Sequence, residues 1–232
     1  MGAGNRVGLA LGYDRDTLHD KDQGSASGDI FRASLYASQP LGGFGLSEVI
    51  SYAKAWDATN RATGVGMARA SFTSDDLTGA IQVSAPFKAG GFDISPAAGA
   101  LVSRLTASAF SETDLVSAAF AVKGQGQSAS FATPYVSVGI SQSFMNGAIA
   151  ITPDAEIGYR YDQAAQGQRF TLTAADSTVF TGNRVGLSGG SAVLGLSLTA
   201  HQGAWSAYAK YRAQVASGWS DQSGAVGFRV AF

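Results

Sequence analysis

The sequence contains no cysteine, which removes disulfides, thiolate zinc sites, iron–sulfur clusters and cysteine nucleophiles together. It is also poor in charge. Only 14% of its 232 residues are charged, against about 25% in an ordinary soluble domain, a deficit of about 25 charges at this length. The 16 basic and 17 acidic residues nearly cancel to a net charge of −1, so no electrostatic footprint for nucleic acid is present. Five prolines are too few for a collagen-like or proline-rich disordered chain. No apolar run approaches the roughly 20 residues of a membrane-spanning helix, which excludes a helical membrane protein. The start MGAGNRVGLALGY lacks a basic segment followed by an apolar one and a cleavage site. An exported chain with this start is expected to be a processed or excised piece.

What is present is 45% apolar residues and 30 glycines, in a length that suits one domain or an all-β barrel of about 200 to 250 residues. One domain over 1–232 is therefore expected. Apolar residues repeat at i, i+2, i+4 in ten segments, separated by Gly, Ser, Asp and Asn clusters. The segments are 6–14, 29–39, 44–56, 75–87, 92–107, 131–144, 148–162, 190–201, 204–215 and 222–232. Helical periodicity is nearly absent.

The second face of each strand is informative. Ile151, Pro153, Ala155, Ile157, Tyr159 and Tyr161 share one face, opposite Thr152, Asp154, Glu156, Gly158, Arg160 and Asp162. Val226, Phe228, Val230 and Phe232 oppose Ser223, Ala225, Gly227, Arg229 and Ala231. A soluble sandwich turns a Lys- and Glu-rich face to water, whereas this second face is mostly Gly, Ser, Thr and Ala with clustered acids and bases. That composition suits an enclosed interior. Asp154, Glu156 and Arg160 are expected to pair there with Arg212, Lys210, Arg229 or Arg32. The apolar face carries aromatics toward strand ends (Tyr13, Phe87, Phe92, Phe144, Tyr159, Tyr161, Trp205, Tyr211 and Phe232), the pattern of a lipid-facing band with aromatic girdles. Hydrocarbon offers no hydrogen bonds, so the strands must close on themselves. The fold class predicted is an all-β, antiparallel transmembrane outer-membrane β-barrel of about ten strands.

Short links at Pro40–Gly43, Lys88–Gly91, Met145–Gly147 and Gln202–Gly203 alternate with longer ones at Arg15–Gly28, Asp57–Ser74, Ser108–Ser130, Gln163–Gly189 and Ala216–Asp221. Outer-membrane barrels have short periplasmic turns and long extracellular loops. The stretch RFTLTA at Arg169–Ala174 is read as a loop hairpin rather than a spanning strand.

From Phe131 to Phe232 the chain resembles the C-terminal half of an autotransporter translocator domain, the barrel of type V secretion. The residues that carry the likeness are ITPDAEIGYRYD, the element FTGNR, SAVLGLSLTA, AWSAYAKYRAQV and a terminal GAVGFRVAF. VGLALGYDRD through DISPAAGALVSRL resembles the family's earlier strands more loosely. The resemblance implies a barrel of twelve strands with a helix in the pore. It also implies secretion of an N-terminal passenger to the surface of a Gram-negative cell. The implied partners are outer-membrane lipid, that passenger, the barrel-assembly machinery and periplasmic chaperones, with no nucleic acid, and the implied state is a monomer. Phe228, Val230 and Phe232 match the terminal assembly signal. Ten strands are two fewer than the family has, so the pore helix and first two strands are expected to be missing. The alternative is a merged strand between Ser108 and Ser130, where LVSAAFAVKG offers a candidate. The Asn-Asn pair of self-cleaving members is absent.

No enzyme chemistry or cofactor is predicted. His19 lies near Asp16, Asp20 and Asp22, as a rim hydrolase would need, but reads as a solvated loop residue, and His201 as a strand-end residue. Asp20 and Asp22 begin like a calcium loop, yet Gly24 comes one residue early and Phe31 stands where the bidentate glutamate belongs. No metal is expected. Arg32, Asp154, Glu156, Arg160, Lys210, Arg212 and Arg229 form the one constellation singled out. It reads either as a rigidifying ion-pair network or as a polar lining for a translocating chain. The alternatives to a translocator are a passenger-less small pore or adhesin-like barrel and an outer-membrane hydrolase.

Overall fold

The computed structural model describes residues 4–21, 24–114, 116–164, 169–183 and 189–230. The period-2 segments form ten long antiparallel strands, β1 Arg6–Asp20, β2 Gly24–Leu41, β3 Phe44–Ala62, β4 Met67–Ser84 and β5 Phe92–Ala107, followed by β6 Gln127–Ser141, β7 Ile149–Ala164, β8 Gly189–Gln202, β9 Trp205–Ala216 and β10 Trp219–Val230. Neighbours in sequence are neighbours in the sheet, so β1 to β10 make one meander. Among the described residues β1 and β10 do not pair, and the sheet is open at that seam. The one helix among them is a single turn at Ala118–Phe120. Among the described residues no helix is long and apolar enough to cross a membrane.

Pairing registers assign every side chain to a face. Ser34, Ser51, Thr78, Ser103 and Phe131 are successive partners across β2 to β6, as are Ser141, Asp154, Ser197, Lys210 and Ala225 across β6 to β10. This small and polar face is the crowded, inner one: Ser51, Ala53, Ala68, Ala129, Thr133 and Val193 are all buried on it. The other face is open and greasy, with Val7 74% and Val226 85% exposed. On β2 its apolar stretch runs from Phe31 to Leu41, which at about 3.3 Å per residue and a tilt of about 40° covers about 25 Å, the height of a lipid-facing band.

Polar partners mark the upper edge of that band. Tyr13 donates to Asp29 at 2.7 Å, Tyr52 donates to Asp75, and Tyr211 donates to Gln222 at 3.0 Å. Arg15 and Lys54 pair with the same two aspartates at 3.8 and 3.6 Å. Each tyrosine thus keeps its ring among apolar side chains and its hydroxyl on a polar group of the next strand, the arrangement aromatic girdles use at a membrane surface. At the opposite end lie Phe44, Phe87, Phe92, Phe144 and Trp205, all exposed, with Trp205 packed on Phe228 at 4.9 Å between ring centroids.

Three expected loops are mostly strand. Arg15–Gly28, Asp57–Ser74 and Ala216–Asp221 continue the ladders of β1 to β4, β9 and β10. β3 and β4 join through a Thr63–Gly66 turn closed by a 3.0 Å backbone bond, and β9 and β10 turn at Ser217–Gly218. The apolar alternation stops where lipid stops, but backbone pairing continues into water, so pattern reading ends these strands too early. The expected short links are tight turns, and RFTLTA forms the expected hairpin, Arg169–Ala174 against Val179–Asn183. LVSAAFAVKG is not a merged spanning strand: it holds the helical turn and the short strand Val122–Gly124, which pairs with Arg169–Ala174.

Candidate functional site

The registers place Arg32, Asp154, Glu156, Arg160, Lys210, Arg212 and Arg229 all on the inner face. The pairing expected among them does not form. Arg160 binds Asp162 of its own strand at 2.8 Å, and Asp162 also accepts from Thr133 at 2.7 Å. Among the described residues Arg32, Glu156, Lys210, Arg212 and Arg229 make no ion pair within 4 Å. Strand spacing gives the reason. Glu156 and Arg212 share one row but have Gly195 of β8 between them, a separation of two strands or about 9.6 Å. Lys210 instead lies 5.2 Å from the Tyr208 ring centre, and Asp154 accepts from Ser197 at 3.5 Å.

The inner wall therefore mixes acids and bases with few pairs between them. Its middle strands carry Asp57, Asp76, Asp93, Asp154 and Glu156 with Arg61 and Arg160, while the strands flanking the seam carry Arg6, Arg32, Lys210, Arg212 and Arg229 with Asp14, Asp16, Asp20 and Asp221 toward their upper ends. Asp57 and Asp76 hold neighbouring hydroxyls, Ser74 at 2.8 Å for the first and Ser103 and Thr78 for the second. Counting by twos from Ser74 would have found Asp76. Asp57 falls in the stretch 57–74 expected to be a loop, whereas Asp76 lies inside the strand expected at 75–87.

A second constellation escaped pattern reading altogether. Arg61, at the upper inner end of β3, donates through Nε and Nη2 to the two carboxylate oxygens of Glu112 at 2.9 and 2.6 Å, and Nη2 also reaches the Phe120 carbonyl at 2.9 Å. The Glu112 side chain is 5% exposed and accepts in addition from the Val122 N–H at 3.0 Å. The Glu112 carboxylate beside it raises the Arg61 pKa further. Next along the chain, Asp114 caps a turn by accepting from the Val116 and Ser117 N–H groups at 2.8 and 3.1 Å, which holds its pKa below the usual carboxylate value. Nothing in the alternation links Arg61 to a carboxylate 51 residues away in an irregular loop.

Phe228 and Val230 lie on the outer face of β10. Phe232 lies outside the described residues. His19 sits on the outer face of β1 and Asp16 and Asp20 on the inner, so the acids a rim hydrolase would need do not share its side. Asp22 of the calcium-like spacing is outside the described residues. His201 is exposed at the turn end of β8. Among the described residues no group of three or more His, Asp or Glu side chains is placed to hold a metal ion.

A family model, "Autotransporter beta-domain", matches residues 1–212. The translocator domain of autotransporter NalP from Neisseria meningitidis superposes with a TM-score of 0.77 at 17% identity, covering 100% of this chain and 75% of that one. The β-domain of the Bordetella autotransporter BrkA gives 0.72 at 17% identity, covering 98% and 83%. No curated protein matches the chain in sequence.

Proposed function

The chain belongs to the autotransporter β-domain family, and from that premise we propose that it is an outer-membrane translocator barrel that carries its own N-terminal passenger to the cell surface. The observation that carries the reading is the continuous outer band of exposed Val, Leu, Ile and aromatic side chains, edged above by tyrosines tied to polar partners. Such a surface is stable in lipid and not in water. The barrel makes and breaks no bond. Its drive is assembly and folding outside the cell.

The inner wall is the part a passing polypeptide meets. Among the described residues Arg32, Lys210, Arg212 and Arg229 make no ion pair within 4 Å and stand among inward acids, so an extended chain of either charge finds a counter-charge along the wall. Arg160 and Asp162, paired to each other, stiffen β7. Phe228 and Val230, with Phe232 beyond them, present the terminal strand to the assembly machinery after chaperones deliver the unfolded chain. The working unit is a monomer.

Expressing the full-length polypeptide tests this. The barrel is expected in the outer-membrane fraction with heat-modifiable mobility, and the passenger is expected to be cleaved by protease added to intact cells. A correctly inserted barrel whose passenger stays periplasmic would leave a passive pore as the better reading. Reversing two wall charges, Lys210→Glu with Arg212→Glu, is expected to slow passenger exposure while leaving the amount of inserted barrel unchanged.

A further inference from the structure

The loop between β5 and β6 does not extend freely outward. Thr113–Asp114 pairs with Ala68 and Arg69 of β4, on the strand's edge above β5. Phe110–Ser111 pairs with Val122–Gly124, which pairs with Arg169–Ala174, which pairs with Val179–Asn183, so loops from two hairpins share one four-stranded sheet. Two side-chain anchors hold this sheet to the inner face: the Arg61–Glu112 fork, and Phe110 packed on the inward Phe72 at 5.6 Å between ring centroids. Beneath them Ala68 and Ala70 are 0% and 6% exposed. Outward Arg69 and Ser71 place this level above the apolar band, on the external side.

We propose that Phe110–Gly124, with the 169–183 hairpin, is a latched cap that folds inward over the external mouth of the barrel and seals it, with Arg61–Glu112 as the latch. The inference rests on the outer-membrane placement argued above. A loop that only decorated the rim would be anchored on outward residues. These anchors lie on the interior side, and they are of two kinds. The bidentate fork is the geometry in which an arginine–carboxylate pair holds most specifically, and because Glu112 is nearly buried its loss leaves Arg61 only the Phe120 carbonyl and the Val122 N–H no acceptor. An apolar pair beside it excludes water.

The sequence has no cysteine, so single introduced thiols report cleanly. In the full-length protein in intact cells, Ala70→Cys is expected to react slowly with a membrane-impermeant maleimide, and about tenfold faster when combined with Glu112→Gln. Uptake of a small hydrophilic chromogenic β-lactam is expected to rise in step. Arg61→Lys, which keeps the charge but loses the fork, is expected to fall between. In Glu112→Gln cells, an Arg69→Cys, Thr113→Cys pair at facing ladder positions is expected to restore low uptake when oxidised and release it on reduction. A heat-modifiable Glu112→Gln barrel in which the Ala70→Cys thiol labels no faster would overturn the proposal, because the cap would then be fixed wall. Faster labelling with unchanged uptake would also overturn it, because the seal would lie deeper. Passenger exposure, scored in the same cells, fails independently if the translocator reading is wrong.

Discussion

At the scale of single residues, the sheet depends on glycines that leave room for neighbouring strands. A Cβ on Gly99 would lie 2.5 Å from the Ile81 carbonyl oxygen and equally close to the hydroxyl of Tyr135, which donates to Gln82 at 3.0 Å. The Ile81 backbone is fixed in the β4–β5 ladder and cannot yield. Gly99→Ala is therefore expected to destabilise the barrel by about 1–3 kcal/mol, as overpacking does, and to lower the temperature at which its heat-modifiable band shifts. Gly79→Ala is the control: its Cβ would meet only the Val102 side chain at 3.7 Å, and the transition should move little. At the band's upper edge, Tyr52→Phe keeps the ring and deletes the bond to Asp75. A small loss of stability is expected, since a single exposed hydrogen bond is removed. A shift as large as that of Gly99→Ala would mean the ring position itself depends on the hydroxyl.

At the scale of elements, ladders and side-chain alternation carry different information, and this explains what was legible. Alternation gives ten strands and the two faces of β1 and of β7 to β10, because lipid on one side and crowding on the other sort side chains at a period of two. Cysteines at Leu196 and Val230 are accordingly expected to report lipid and those at Ser197 and Arg229 a polar interior, while reversed labelling would refute the registers. Alternation was silent where both faces meet water. It ended β1 at about residue 14 although the ladder runs to Asp20, and it offered no reason to join Glu112 to Arg61. The turn that follows Glu112 has its own chemistry. Asp114 has a lowered folded-state pKa because backbone N–H groups favour its ionised form. A depressed carboxylate contributes stability that is fully present above its unfolded pKa of about 3.9 and is lost as pH falls through the lower folded value. The cap should thus keep Ala70→Cys protected from neutral pH down to about 4 and loosen only below, whereas Asp114→Asn should loosen it at neutral pH as well. Protection lost already near neutral pH in the parent would show that another group controls the turn.

At the scale of the whole molecule, the open seam is the feature that the charge deficit alone did not reveal. The same low charge that suits the outer face to lipid also leaves β1 and β10 with unpaired edges in that lipid. Each unsatisfied backbone group in hydrocarbon costs several kcal/mol, and the parts of the two edges that lie in the band, from Arg6 to about Asp14 on β1 and from about Ser223 to Val230 on β10, would together exceed the roughly 5–15 kcal/mol of a whole domain's stability. The edges must therefore be covered in the membrane. In the translocator reading proposed above, covering strands come from the same polypeptide, which keeps it monomeric. Refolded alone in detergent micelles, residues 1–232 have only other copies to offer, and edge-to-edge pairing is the usual fate of an exposed strand. Light scattering is then expected to give a protein mass at least twice 23.7 kDa, while the full-length protein runs as one copy. A stable, heat-modifiable monomer of the short chain would instead mean that β1 and β10 can swing together and close ten strands. Crosslinking between Leu11→Cys and Val226→Cys would separate the cases, since pairing across the seam within one chain joins them without raising the mass, and pairing between copies joins them only in the dimer.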